Sequence, residues 1–309
     1  MIAWVFPGQG SQFVGMGTGF SAAPAREVFD VAREVLGWDV RSVCLHGPEE
    51  LLASTEVSQP AILTVSVAAA RSLEDSGLLP DLVAGHSVGE FAALVVARAI
   101  SFEDALHVVG ARAEAMAQAG RETAGRMAAV IGLDRGRGEE ICERSQGLVA
   151  VATVNGSDQM VISGEVGAVE ASAEAARAAG ARRVIPLPVS VAAHSPLMAP
   201  AAKTVGRALE GVTLLPPVIP FSSGVAGKLL DEPSEIGRSL VDALTHPVDW
   251  PACVAALQAG GAEAFVEVGP GAVLSGLIRR LAPDVQIWQV ADDRSAARLV
   301  DELASGVLR

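Results

Sequence analysis

The sequence predicts an α/β protein: a large domain on a parallel-sheet core, interrupted by a smaller β-rich domain. Three observations carry that prediction. Short apolar runs at "MIAWVF" (1–6), "DLVAG" (81–85) and "AFVEVGPG" (264–271) each run into a Gly/Pro-rich or glycine turn, as buried strands do. Alanine-rich stretches with helical spacing separate them. Between about 125 and 190 the texture shifts to closely spaced β-rich runs. Half of the 309 residues are hydrophobic, enough for a substantial core.

Taken in order, "MIAWVF" reads as a strand that stops at Pro7, followed by the turn-rich "GQGSQ". Residues 26–36 and 60–75 have helical spacing, with Pro60 suited to a first turn. "DLVAG" is a second strand, and "VGEFAALVVARA" (88–99) the helix after it. The stretch 101–120 predicts another helix, with Ser101 as N-cap, Asp104 three residues on and Gly120 at the end. From Gly125, "RMAAVIGL", "GLVAVATVNG", "DQMVISG" and "RRVIPLPVS" read as strands, with helical patterns at 135–146 and 166–179. Strand, helix, strand, strand, helix, strand is the ferredoxin-like order. The division expected is therefore 1–124 and 191–309 for the large domain, with 125–190 as the insert.

Composition excludes several functions. With a net charge of -13 there is no broad basic face for nucleic acid. Tyrosine is absent and aromatics make up 4%, so the core rests on Ala, Val, Leu and Ile. Three scattered cysteines (Cys44, Cys142, Cys253) form no Cys-x-x-Cys pair, so neither a disulfide framework nor a metal site is expected, and a reducing cytoplasm fits. The uncharged first 25 residues lack a basic leader region, and the run from Pro7 to Gln12 breaks their apolar character. Residues 184–202 are also uncharged, but prolines at 186, 188, 196 and 200 exclude a normal membrane helix. A soluble, unprocessed monomer is the expectation.

Gly85-His86-Ser87-Val88-Gly89 matches G-x-S-x-G between a strand and a helix. Small residues two before and two after the serine let the chain turn sharply and expose the hydroxyl, beside a helix N-terminus that offers free N–H groups. The alternative is a tight turn in which Ser87 is only small. A nucleophilic serine needs a base. Among the five histidines, His107 lies inside a helix and His86 supports the turn; His194 follows a strand in a Pro-bounded loop, and His246 sits in another. Spacing favours His194 over His246 without settling it. No acid precedes His194 in the order usual for elbow hydrolases, so a backbone group would orient the imidazole in a dyad. The Gln9 backbone N–H could join that of Val88 as an oxyanion donor, or 6–12 is an ordinary strand-end turn. Arg112, on the helix from 101, either pairs with a substrate carboxylate or lies on the surface.

Together these pieces resemble the malonyl-CoA:acyl-carrier-protein transacylases and the related acyltransferase domains of polyketide synthases. The resemblance spans nearly the whole chain: "FPGQGSQ" (6–12), "QPA" (59–61), "GHSVGE" (85–90), Arg112 with Met116, "GRMAAVIGL" (125–133), "VNGSDQMVISG" (154–164), "PVSVAAHSPLM" (188–198), "HPVDW" (246–250) and "EVGPG" (267–271). It implies a hydrolase-like large domain with a ferredoxin-like small one. It implies Ser87 as the acylated nucleophile, His194 as general base, Gln9 and Val88 as oxyanion donors, and Arg112 as the clamp on the malonyl carboxylate. Asn155 matches a family position on the small domain near the cleft. The implied partners are malonyl-CoA, as substrate rather than cofactor, and a phosphopantetheinylated acyl carrier protein. Two departures stand out: Met116-Ala117-Gln118, where relatives often have Met-Gln, and Ala193, where they have serine or phenylalanine. Ala193 enlarges the acyl pocket, which would admit a branched malonyl group, whereas Val88 leans towards malonyl. An esterase or thioesterase is the competing enzyme class.

Overall fold

The computed structural model describes residues 1–305. A six-stranded sheet takes the order Gln286–Val290, Ala264–Val268, Ile2–Phe6, Leu82–Gly85, Phe221–Ser223, Lys228–Leu230. Its first five strands run parallel and the last closes an antiparallel hairpin. Ile2–Phe6 lies centrally and is buried from Ala3 to Phe6, which is why it reads as a continuous apolar run rather than an alternating one. Helices cover both faces of a parallel sheet. Here Thr55–Asp75 and Phe102–Glu122 pack together on one side with Ala23–Leu36. Trp250–Ala259 and Val273–Leu281 contribute to the apolar cluster on the other.

The second sheet has the order Arg183–Pro186, Gly125–Ile131, Gln159–Glu165, Val149–Gly156, Val248–Asp249. The first four strands are antiparallel and come from one continuous stretch, with helices Arg135–Glu143 and Val166–Ala178 between them. The fifth is a two-residue strand from far along the chain, paired parallel at Thr153–Val248 and Val154–Asp249. That pairing joins the two sheets' territories beside Asn155.

Several boundaries differ from expectation, three of them instructive. The helix holding Pro60 starts at Thr55, so Pro60 lies inside it. Its missing N–H removes one helical hydrogen bond there, a loss that a proline in the first turn would not incur. The helix after Ser87 stops at Val96, where Arg98 turns left-handed at φ 57°. The next helix does begin at Ser101, whose Oγ accepts from the Asp104 N–H at 3.0 Å, but it runs past Gly120 to Glu122.

Candidate active site

Parallel strands deliver their following loops to one edge of the sheet. Ile2–Phe6 and Leu82–Gly85 are neighbours, so the loop carrying Gln9 and the turn carrying Ser87 emerge side by side. The His86 N–H donates to the Phe6 carbonyl at 2.9 Å and fixes their register. Ser87 has φ 55°, a left-handed conformation that few serines adopt without reason. The flanking glycines allow it. A Cβ on Gly85 would stand 2.0 Å from the Gly89 carbonyl carbon, and one on Gly89 would stand 2.2 Å from the Phe6 carbonyl oxygen. The strand–turn–helix corner is therefore closed by backbone against backbone.

Among the described residues the N–H groups of Gln9 and Val88 have no acceptor. Val88 is the N-cap of helix Gly89–Val96, where the backbone dipoles present their positive end.

His194 also has a left-handed backbone, φ 58°, and is buried. Its Nδ1 donates to the Ala243 carbonyl at 2.5 Å. That bond leaves Nε2 unprotonated in the neutral ring, the tautomer a general base requires. Burial pushes the ring's pKa down to about 3, helped by the Arg112 and His86 charges and opposed by the Ala243 and His246 backbone groups. His246, the competing candidate, lies in the separate turn that follows Ala243 and is exposed. His107 is exposed on its helix.

Arg112 is not a surface residue; it is 2% exposed. Its Nη2 donates to Ser87 Oγ at 3.1 Å, and its Nη1 donates to the Gln59 side-chain oxygen. Both acceptors are uncharged. Gln59 is fully buried, and its Nε2 donates to Gln9 Oε1 and to Met116 Sδ, each at 3.4 Å. One amide thus ties the cation, the Gln9 loop and the helix methionine together. Gln9 Nε2 donates in turn to Thr55 Oγ1 at 3.3 Å.

Asn155 sits at the end of strand Val149–Gly156, where its Oδ1 accepts from His86 Nε2 at 3.2 Å. The His86 ring also packs against Trp250, centroid to centroid 5.6 Å. Ser87, Gln9, Val88, Arg112 and Asn155 are thereby linked or adjacent through named bonds, and the Arg112 and His86 charges act on the His194 ring.

These are the features of a covalent acyl-transfer site, and comparisons with known proteins agree. The family model described as acyl transferase domain matches residues 3–305. The chain belongs to this acyl transferase family. It is 38% identical to the malonyl CoA-acyl carrier protein transacylase of Bacillus subtilis (strain 168), over 98% of this chain and 97% of that protein. The structure of the malonyl CoA-acyl carrier protein transacylase from Coxiella burnetii superimposes with a TM-score of 0.94 at 36% identity, over 98% of this chain and 97% of that one. A malonyl-transacylase in complex with its type II PKS acyl-carrier protein matches at a TM-score of 0.94 and 37% identity, over 97% and 99% of the two chains.

Two buried polar residues went unnoticed in the sequence: Gln59, which bonds Arg112, and Glu90, three residues after Ser87. Both lie inside motifs quoted for the resemblance, yet a motif does not say which atom a side chain faces. All three cysteines are buried with their thiols pushed up to about 12 by burial, so none competes as a nucleophile. Among the described residues no cluster of His, Cys, Asp and Glu could hold a metal ion, and no helix is long and apolar enough to cross a membrane.

Proposed function

We propose that this acyltransferase moves a malonyl group from malonyl-CoA, through an ester on Ser87, to the phosphopantetheine thiol of an acyl carrier protein in fatty acid or polyketide biosynthesis. The observation that carries the assignment is the buried Arg112 guanidinium bonded to the Ser87 hydroxyl. An acyl chain on that oxygen must lie beside a cation whose hydrogen-bond partners are both neutral, which suits a carboxylate and penalises a methyl group.

In the first half-reaction Ser87 Oγ attacks the thioester carbonyl while His194 Nε2 takes its proton. The N–H groups of Gln9 and Val88 stabilise the oxyanion; losing one such donor typically costs about 3–4 kcal/mol of barrier stabilisation. The carbon–sulfur bond breaks, and CoA leaves as a thiol with the proton from His194. In the second half-reaction the carrier's thiol gives its proton to His194 and attacks the ester, and Ser87 recovers its proton as it leaves. Asn155 supports the elbow through His86 from the second sheet. Alanine at 193 and valine at 88 favour an unbranched or modestly branched malonyl unit.

The same proposal extends to the architecture: a hydrolase-like large domain (1–124, 191–309) and a ferredoxin-like insert (125–190). The strand order and directions of the second sheet support the insert. A monomer in a reducing cytoplasm, using no cofactor, completes the assignment.

Intact-mass analysis tests it. Malonyl-CoA should add one malonyl mass to the protein but none to Ser87→Ala, and holo carrier protein should remove it. No adduct, or prompt hydrolysis without transfer, would reject the assignment in favour of an esterase or a non-catalytic carrier-binding role.

A further inference from the structure

Arg112 is a buried cation whose hydrogen-bond partners are both neutral, and no carboxylate lies within ion-pair distance of it among the described residues. A second buried ionisable group sits close by. Glu90 occupies the first turn of the elbow helix Gly89–Val96, three residues after Ser87, and that helix packs against Phe102–Glu122, which carries Arg112. Glu90 is 2% exposed. Its Oε1 accepts from the Gly224 N–H at 2.7 Å, while its Oε2 is buried with no hydrogen-bond partner. An ionised carboxylate with one oxygen unsatisfied is costly to bury unless a cation compensates it.

We propose that Glu90 is the resting counter-charge of Arg112 and takes up a proton when a substrate carboxylate docks on the guanidinium. The proposal rests on the malonyl assignment above. One guanidinium can compensate one buried carboxylate; when the malonyl carboxylate arrives, Glu90 loses its compensation and is neutralised. The proton comes from solvent and ends on the Glu90 carboxyl, and it is released again when the acyl group departs. Without this exchange the site would bury two negative charges beside a single positive one.

The neighbours of Glu90 allow the proton to settle there. From helix Phe102–Glu122 it faces the Arg112 cation; from strand Phe221–Ser223 and its end, the Ser223 hydroxyl and the Gly224 N–H. From helix Trp250–Ala259 it faces the neutral thiol of Cys253, whose other acidic neighbour, Asp249, is paired with Arg135. The Arg112 charge acts on His194, with His86 as a further neighbour of that ring, and burial lowers the pKa of both rings. Burial instead raises Glu90, against the pull of Gly224, Arg112 and Ser223, to about 7. It is the group poised to change charge near neutrality.

The test is calorimetric titration of Ser87→Ala, which binds without transfer, in two buffers of different ionisation enthalpy. Malonyl-CoA is compared with CoA, which carries the same phosphates and no carboxylate. At pH 7.5 malonyl-CoA should take up about half a proton more than CoA, equivalent to roughly a threefold loss of relative affinity per pH unit of increase. The excess should vanish in Ser87→Ala/Glu90→Gln, where the amide oxygen retains the Gly224 bond. It should also shrink below pH 5.5 in the parent, a pattern readable even if the double variant fails to fold. Equal proton counts for the two ligands, an excess surviving Glu90→Gln, or an excess growing at acid pH as histidine protonation would give, overturns the proposal. A protein that acquires and passes on the malonyl group with equal proton counts fails this proposal alone. One that binds no malonyl-CoA fails both.

Discussion

Arg112 Nη2 and Ser87 Oγ share a hydrogen bond of 3.1 Å, so the proposed specificity cation and the proposed nucleophile are in direct contact. In a malonyl ester a single methylene separates the ester carbonyl from the free carboxylate. The carboxylate therefore falls within the guanidinium's reach without any movement of the helix that carries Arg112. In the proposed reaction, selectivity and reactivity are built from the same pair of residues.

The first consequence concerns Arg112→Ala. Removing the guanidinium leaves the malonyl carboxylate buried without a partner, a penalty of about 3–5 kcal/mol, while an acetyl group loses nothing. The ratio of kcat/KM for malonyl-CoA over acetyl-CoA should fall on the order of 10²–10⁴-fold in steady-state assays. An unchanged ratio would remove Arg112 from its assigned role.

Gln59 holds the guanidinium through an uncharged oxygen, so no carboxylate is bonded to it before the substrate arrives. Gln59→Glu is close in shape but gives Arg112 a resident carboxylate. KM for malonyl-CoA should rise by roughly tenfold or more, with acetyl-CoA kinetics little changed. Gln59→Ala should instead lower kcat for both thioesters, because the Gln9 loop loses its tether as well.

Stability should respond to pH in opposite senses at two buried groups. Burial lowers His194 from 6.5 to about 3. Its contribution is complete above pH 6.5 and is lost as pH falls towards 3, because the unfolded ring then binds a proton that the folded ring refuses. Glu90 is raised by burial from 4.5 to about 7, so its contribution is complete below pH 4.5 and is lost as pH rises through 7. In thermal melts, Glu90→Gln should gain on the parent as pH rises from 4.5 to 7. His194→Gln should gain on it as pH falls from 6.5. Parallel curves for either variant would contradict the corresponding assignment.

An acidic carrier protein requires a local basic patch on this acidic chain. Arg182 and Arg280, distant in sequence, meet at the turn before strand Gln159–Glu165: Arg182 pairs with Asp158, and Arg280 donates to Gln159 Oε1 at 3.0 Å. Their neighbours Arg183 and Arg279 have no partner among the described residues. Charge reversal at all four should raise KM for the carrier several-fold, leave serine acylation by malonyl-CoA intact, and flatten the salt dependence of transfer. A carrier KM that does not move would place docking elsewhere.

The strands and the elbow were legible because their signals are local: apolar runs, glycine spacing, an N-cap serine. The sheet edge that unites Gln9 with Ser87 follows from strand adjacency, which no local pattern encodes. Arg112 shows the limit most clearly. On composition alone an arginine on an alanine-rich helix belongs on the surface, and only the family resemblance placed it inward. Gln59 and Glu90 carried no signal beyond motif membership, since their roles depend on which charges the fold brings near. Pro60 misled because a proline fits a first helical turn and is also tolerated one turn further in.

The elbow glycines give the sharpest structural prediction. A methyl group at Gly89 would sit 2.2 Å from the Phe6 carbonyl oxygen and 2.8 Å from that of Pro7, and both obstacles are backbone. Neither can rotate away, so helix Gly89–Val96 would have to lift off the central strand. Gly89→Ala should cost about 3 kcal/mol or more. It should also displace Ser87 from Arg112 and from the Gln9 loop. Gly37→Ala provides the comparison: its φ of 75° is left-handed but nothing lies within 4 Å of the new methyl, so only about 1–2 kcal/mol of backbone strain is expected. Chemical denaturation, read beside the rate of serine acylation, separates the two. Gly37→Ala should acylate at the parent rate once folded, whereas folded Gly89→Ala should acylate at least tenfold more slowly. Equal stability and equal acylation in both would mean the corner tolerates a side chain, and the close backbone approach would not be what holds Ser87 in place.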